Sequence, residues 1–190
     1  MNEAMAYRDE LFAERINGKT VLMSPSPAVS HNHIAGNIYS IFRQFLKGKK
    51  RCVPFFDGVD VHLDDDNVFI PDVMIVCDRS KIKDNGIYGA PDLVVEILSP
   101  STLTRDRGIK KTVYERAGVR EYWIVDPLAQ SVEVYHLREG KLELDHAYIV
   151  YPDWEWERMT EKEKAEARLT VKVSLYDNLD VDVREVFETF

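Results

Sequence analysis

Leu93-Val94-Val95-Glu96-Ile97-Leu98 is apolar at every position but one, on both faces of an extended chain, as a strand in the middle of a sheet must be. Its single carboxylate, Glu96, is costly to bury and needs a reason to be there. Downstream, Ser99-Pro100-Ser101-Thr102 ends the strand, and Ile109, Val113 and Ala117 mark a helix that Gly118 stops at its C-terminal cap. Tyr122-Trp123-Ile124-Val125 is a second buried strand, Asp126-Pro127 a turn, and Val132-Glu133-Val134-Tyr135 the next strand. Leu142 to Val150 adds an edge hairpin. Upstream, Gly86 to Pro91 reads as a loop and Val68 to Val76 as one strand. Asp64-Asp65-Asp66-Asn67 joins that strand to the alternating Val59, Val61 and Leu63. The acidic turn is either a cation site or simply solvated, as polar turn residues tend to be. Asn17-Gly18 predicts a tight hairpin between Leu11 to Ile16 and Thr20 to Met23, and Ser24-Pro25-Ser26-Pro27 breaks the strand that follows. Ser30 can cap a helix whose Ile34, Ile38, Ile41, Phe42, Phe45 and Leu46 share one face. The pattern is that of an α/β (α+β) protein.

At 190 residues, 45% hydrophobic and 31% charged, the chain has the composition of one globular domain over residues 1–190. No apolar run approaches the roughly 20 residues that span a bilayer. The first ten residues lack a basic segment followed by an apolar one, so a soluble, cytoplasmic protein without membrane contact is expected. Cys52 and Cys77 have no metal-ligand spacing and are read as two reduced core thiols. The net charge of −8 argues against an indiscriminate polyanion binder. It leaves room for a local basic groove from Lys47-Gly48-Lys49-Lys50-Arg51, or from Arg105, Arg107, Lys110, Lys111 and Arg116; both segments could equally be solvated faces.

Asp72, after Pro71, and Glu96 interrupt two apolar strands, and a divalent cation offsets the cost of burying such a pair. A hard ion such as Mg²⁺ could be shared by Asp72 and Glu96 with the Ile97 carbonyl as third ligand; alternatively, backbone donors satisfy both carboxylates. A lysine two residues past Glu96 would share its face, but Leu98 stands there. The nearest replacement is on the following helix. Lys110 is three and four residues from Val113 and Tyr114 and borders the packed face. Lys111, about 200° around from Ile109, is expected to pair with Glu115 in solvent. His31, in a helical first turn, could approach a phosphate or merely pack and cap. Glu14, on the first hairpin, could complete the acidic cluster or face solvent.

These residues resemble the Uma-two family, a restriction-endonuclease family within the PD-(D/E)XK nuclease superfamily. The resemblance covers nearly the whole chain. It rests on Glu14-Arg15-Ile16-Asn17-Gly18, Ser24-Pro25-Ser26-Pro27 with His31, Pro71-Asp72, and above all Gly89 through Thr102. It continues through Arg105-Asp106, Lys110, Tyr114 and Ala117 to Pro127. The resemblance implies a restriction-endonuclease-like mixed sheet flanked by helices, with β-hairpins near both termini. It implies Asp72 and Glu96 as metal ligands, the superfamily lysine moved to Lys110, and Glu14 and His31 as accessory site residues. Homodimers, DNA as substrate and Mg²⁺, with Mn²⁺ as substitute and no small-molecule cofactor, go with it. Two rivals stay open. One is a catalytically silent nuclease fold that binds nucleic acid or a partner protein, suggested by the negative charge and by Leu98. The other is a structural dimer formed through the aromatic segment Tyr151 to Trp156.

Overall fold

The computed structural model of the chain, described over residues 13–23 and 28–189, is built on two mixed sheets of six strands each. The central sheet runs β12 (Lys141–Ile149), β11 (Ser131–Arg138), β10 (Glu121–Asp126), β9 (Leu93–Ile97), β6 (Val73–Val76), β3 (Val53–Phe56). β9 lies inside it, parallel to β10 and antiparallel to β6, with all its residues buried, as its apolar sequence requires. The second sheet runs β2 (Lys19–Leu22), β1 (Ala13–Ile16), β5 (Asn67–Phe69), β4 (Val61–Asp64), β8 (Gly86–Tyr88), β7 (Ile82–Lys83). A small hairpin pairs β13 (Thr170–Lys172) with β14 (Asp180–Asp182).

Helix α1 (Val29–Leu46) buries Ile34, Ile38, Phe42 and Leu46 against Val73, Ile75, Val95, Ile97 and Trp123 on one face of the central sheet. On the other face, Met74, Val76, Val94 and Leu98 meet Phe69, Val61 and Ile87 of the second sheet together with Val113 and Tyr114 of α3 (Lys111–Ala117). A short α2 (Leu103–Arg105) enters α3 through one wide π turn, Asp106–Lys110. Asn17 and Gly18, at φ +49° and +74°, make the tight β1–β2 turn, and Gly118, at φ +90°, ends α3.

Several expectations are corrected. Residues 68–76 are not one strand: the chain leaves the second sheet after Phe69 and joins the central sheet at Val73. Pro71, lacking an N–H, sits at the crossing where neither ladder needs a donor from it. The expected loop at Gly86 contains β8, and β3 was not foreseen. Ala28, not Ser30, occupies the N-cap of α1, without a side-chain cap. Ser24 to Pro27, and Leu11 and Phe12, lie outside the described residues. Cys52 and Cys77 are not free thiols but a disulfide. They extend the β3–β6 pairing one step beyond Val53 opposite Val76, and that register could not be read from two isolated cysteines. No helix among the described residues is long and apolar enough to cross a membrane.

Candidate active site

Asp72 and Glu96 come together through strand register. β6 pairs with β9 so that Val73 faces Val95 and Met74 faces Val94, and Asp72 directly precedes the paired residues of β6 as Glu96 directly follows those of β9. Side chains alternate along a strand, so Glu96 lies on the face that carries Val94 and Leu98, while Asp72, at the end of β6, meets His31 of α1. The Ile97 N–H donates to Asp72 Oδ2 at 2.6 Å, which fixes the Asp72 carboxylate at the end of β9. The Asp72 Oδ1 lies 3.4 Å from His31 Nε2, which also donates to the Ile97 carbonyl at 3.0 Å. Burial pulls the His31 imidazolium down, yet the Asp72 carboxylate, the Ile97 carbonyl and Asp57 outweigh it and raise its pKa above the ordinary 6.5.

Glu96 is buried beneath the second sheet, where its Oε1 accepts from Tyr114 Oη at 2.6 Å and from Lys110 Nζ at 2.7 Å. Lys110 Nζ also donates to Glu14 Oε1 at 2.9 Å and lies 3.6 Å from Asp106 Oδ1. Glu14 reaches this point because it alternates inward on β1, where its Oε1 takes a further hydrogen bond from the Ile70 N–H at 3.1 Å. The Phe69 ring, 5.4 Å from Nζ, closes another side. Burial pushes the Glu96 carboxyl well above its ordinary range despite Lys110. Burial works against the Lys110 ammonium as well, but Glu96, Glu14 and Asp106 overcome it and hold the group charged. Lys110 is thus held as an ammonium among three acidic side chains.

All five expected side chains thus assemble into two adjoining groups, Asp72 with His31 and Glu96 with Lys110 and Glu14. Asp106 and Tyr114 were not assigned site roles from sequence. Their signal was the four-residue spacing of 106, 110 and 114, which places them along one helical face with Lys110. Asp106 is buried, and burial raises its pKa. Lys111 does not pair with Glu115 in solvent: its Nζ donates to the Leu142 carbonyl at 2.9 Å and lies over the Tyr135 ring, while Glu115 takes Lys141 instead. The acidic turn is held by its own hydrogen bonds, with Asp64 Oδ1 accepting from Asp66 N and Asn67 Nδ2. No three His, Cys, Asp or Glu side chains among the described residues converge in metal-holding geometry. The oxygen donors on offer are two carboxylates and a backbone carbonyl.

A family model described as "Putative restriction endonuclease" matches residues 3–168. An uncharacterized protein of Synechocystis is 30% identical over 108 residues, 56% of this chain and 57% of the relative, so the match spans little more than half of that protein. A crystal structure of Anabaena variabilis, titled a putative nuclease, has a TM-score of 0.70 at 22% identity, covering 94% of this chain and 90% of that one. The two chains share a fold.

Proposed function

The chain belongs to the Uma-two family, whose description is "Putative restriction endonuclease", and from that membership we propose that it hydrolyses phosphodiester bonds of DNA with Mg²⁺ as cofactor. The observation that supports this reading is Asp72 held by the Ile97 N–H, next in the chain to Glu96, with the Lys110 ammonium 2.7 Å from Glu96. The donor set fits a hard cation. Four acidic side chains, Glu14, Asp72, Glu96 and Asp106, crowd Lys110 and His31, and the buried Asp106 Oδ1 has no hydrogen-bond partner among the described residues. Asp72, Glu96 and the Ile97 carbonyl would hold Mg²⁺ or Mn²⁺, which when bound supplies positive charge at the phosphate and acidifies a water. Lys110, an ammonium between Glu96 and Glu14, orients the attacking water or a phosphate oxygen by donating hydrogen bonds. Tyr114 and Glu14 fix that ammonium and its carboxylate in place. His31, held by Ile97 and Asp72, keeps a proton at Nε2 near the strand to be cut. In this reading the chain acts as one domain and pairs into homodimers.

A second reading, a silent nuclease fold that binds nucleic acid or a partner, is favoured by one observation. His31 already occupies the Ile97 carbonyl, and Lys110 already occupies Glu96. Incubation of supercoiled plasmid with Mg²⁺ or Mn²⁺ separates the two. The wild-type protein is expected to nick it, and Asp72→Ala and Glu96→Ala to lose at least a hundredfold of that rate. Equal nicking by all three proteins would assign the activity to a contaminant. No nicking, with saturable DNA binding, would establish the silent fold.

A further inference from the structure

Four of the five cations in the second basic segment are already used. Lys110 lies in the carboxylate cluster, Arg107 Nη2 donates to Glu133 Oε1 at 2.6 Å, Lys111 holds the Leu142 carbonyl, and Arg116 Nη2 donates to Asp64 Oδ2 at 3.1 Å. The Arg105 side chain alone has no hydrogen-bond or ion-pair partner among the described residues, and its Nε is closed off from solvent without an acceptor. A guanidinium cannot shed its proton, and a buried N–H left unpaired costs free energy that an accepting group would recover.

The position indicates which ligand. Arg105 immediately precedes Asp106, whose carboxylate is 3.6 Å from Lys110 Nζ. It follows the hydroxyl turn of Ser99, Ser101 and Thr102, which leaves β9 directly beyond Ile97. The residue as a whole is only partly buried, so part of its side chain meets solvent. Around a site this rich in carboxylates, in a chain of net charge −8, a polyanionic strand needs a cation that no carboxylate has neutralised. The guanidinium fork matches two oxygens of one phosphodiester.

We propose that Arg105 anchors a backbone phosphate of the nucleic-acid strand beside the phosphate that is cut. The inference rests on the nuclease reading and adds to it the group that holds the substrate. Its test is anisotropy titration of a fluorescent DNA duplex over a range of KCl concentrations, with Ca²⁺ in place of Mg²⁺, for wild type, Arg105→Gln and Arg105→Lys. Arg105→Gln should bind about tenfold or more weakly, with the slope of log affinity against log salt shallower by about one. Arg105→Lys should keep the slope but lose affinity, because it retains the charge without the fork. If Arg105→Gln does not fold, the affinity loss of Arg105→Lys decides. Wild-type affinity and slope in the folded variants would overturn the anchor alone. Absence of any salt-dependent DNA binding by the wild-type protein would overturn the nuclease reading with it.

Discussion

Lys110 carries the charge that three carboxylates, Glu14, Glu96 and Asp106, share in a space almost free of solvent. Removing one partner from such a group leaves the others uncompensated, so Lys110→Met is expected to lower unfolding free energy by about 3–5 kcal/mol in urea titrations. Adding Glu14→Gln to that variant should restore part of the loss; a strictly additive double mutant would show that the two do not interact. At this scale the sequence distinguished Lys110 from Lys111 by helical angle alone, because one neighbour faced apolar residues and the other did not. It could not decide whether Glu14 faced inward. That depends on Lys110, 96 residues away, and on Ile70 lending its N–H, contacts that no local pattern announces. Asp106 escaped for a related reason: an acid in a first helical turn is ordinary until the turn proves to be buried.

Helix α3, which follows Lys110, is fastened at its far end by Glu115. Its Oε2 accepts from the Leu142 N–H at 2.7 Å and its Oε1 from Lys141 Nζ at 3.0 Å. The Leu142 N–H first, then Lys141, hold this carboxyl below its usual range. A lowered folded value means that the stabilisation is present at neutral pH and disappears as pH falls through that value. Glu115→Gln should therefore melt about 1–4 °C below wild type at pH 7, from about 0.5–1 kcal/mol after solvent screening. Well below both pKa values the two proteins should melt together; a gap that persists in acid would assign the effect to packing. Elements with a strong period were legible, including α1, β9, β10 and the hairpin at Asn17-Gly18. β3 and β8 were not, since each is short and is made a strand only by the partner lying beside it. The break at Pro71 was visible as a residue but not as a change of sheet, because apolar residues continue on both sides of it.

Over the whole molecule, the Cys52–Cys77 bridge ties the edge strand β3 to β6 across 25 residues of sequence. Closing a loop of that length in the unfolded chain accounts for about 3 kcal/mol. Reduction, or the variant Cys52→Ala/Cys77→Ala, is thus expected to lower the midpoint of thermal unfolding by about 6–12 °C. Thermal denaturation followed by circular dichroism, with and without dithiothreitol, measures it, and coincident curves would mean that the bridge does not restrain the chain. The mixed sheet between helices could be anticipated from the order of periodic segments. The division into two stacked sheets could not, because it turns on where a single proline lets the chain cross over. That division has a further consequence. Glu14 hangs from one sheet, Glu96 from the other, and Lys110 from the turn packed against both, so the ion cluster is a clasp between the two layers. Neither layer can peel away without breaking these ion pairs, and the cluster has no life of its own apart from the cooperative whole.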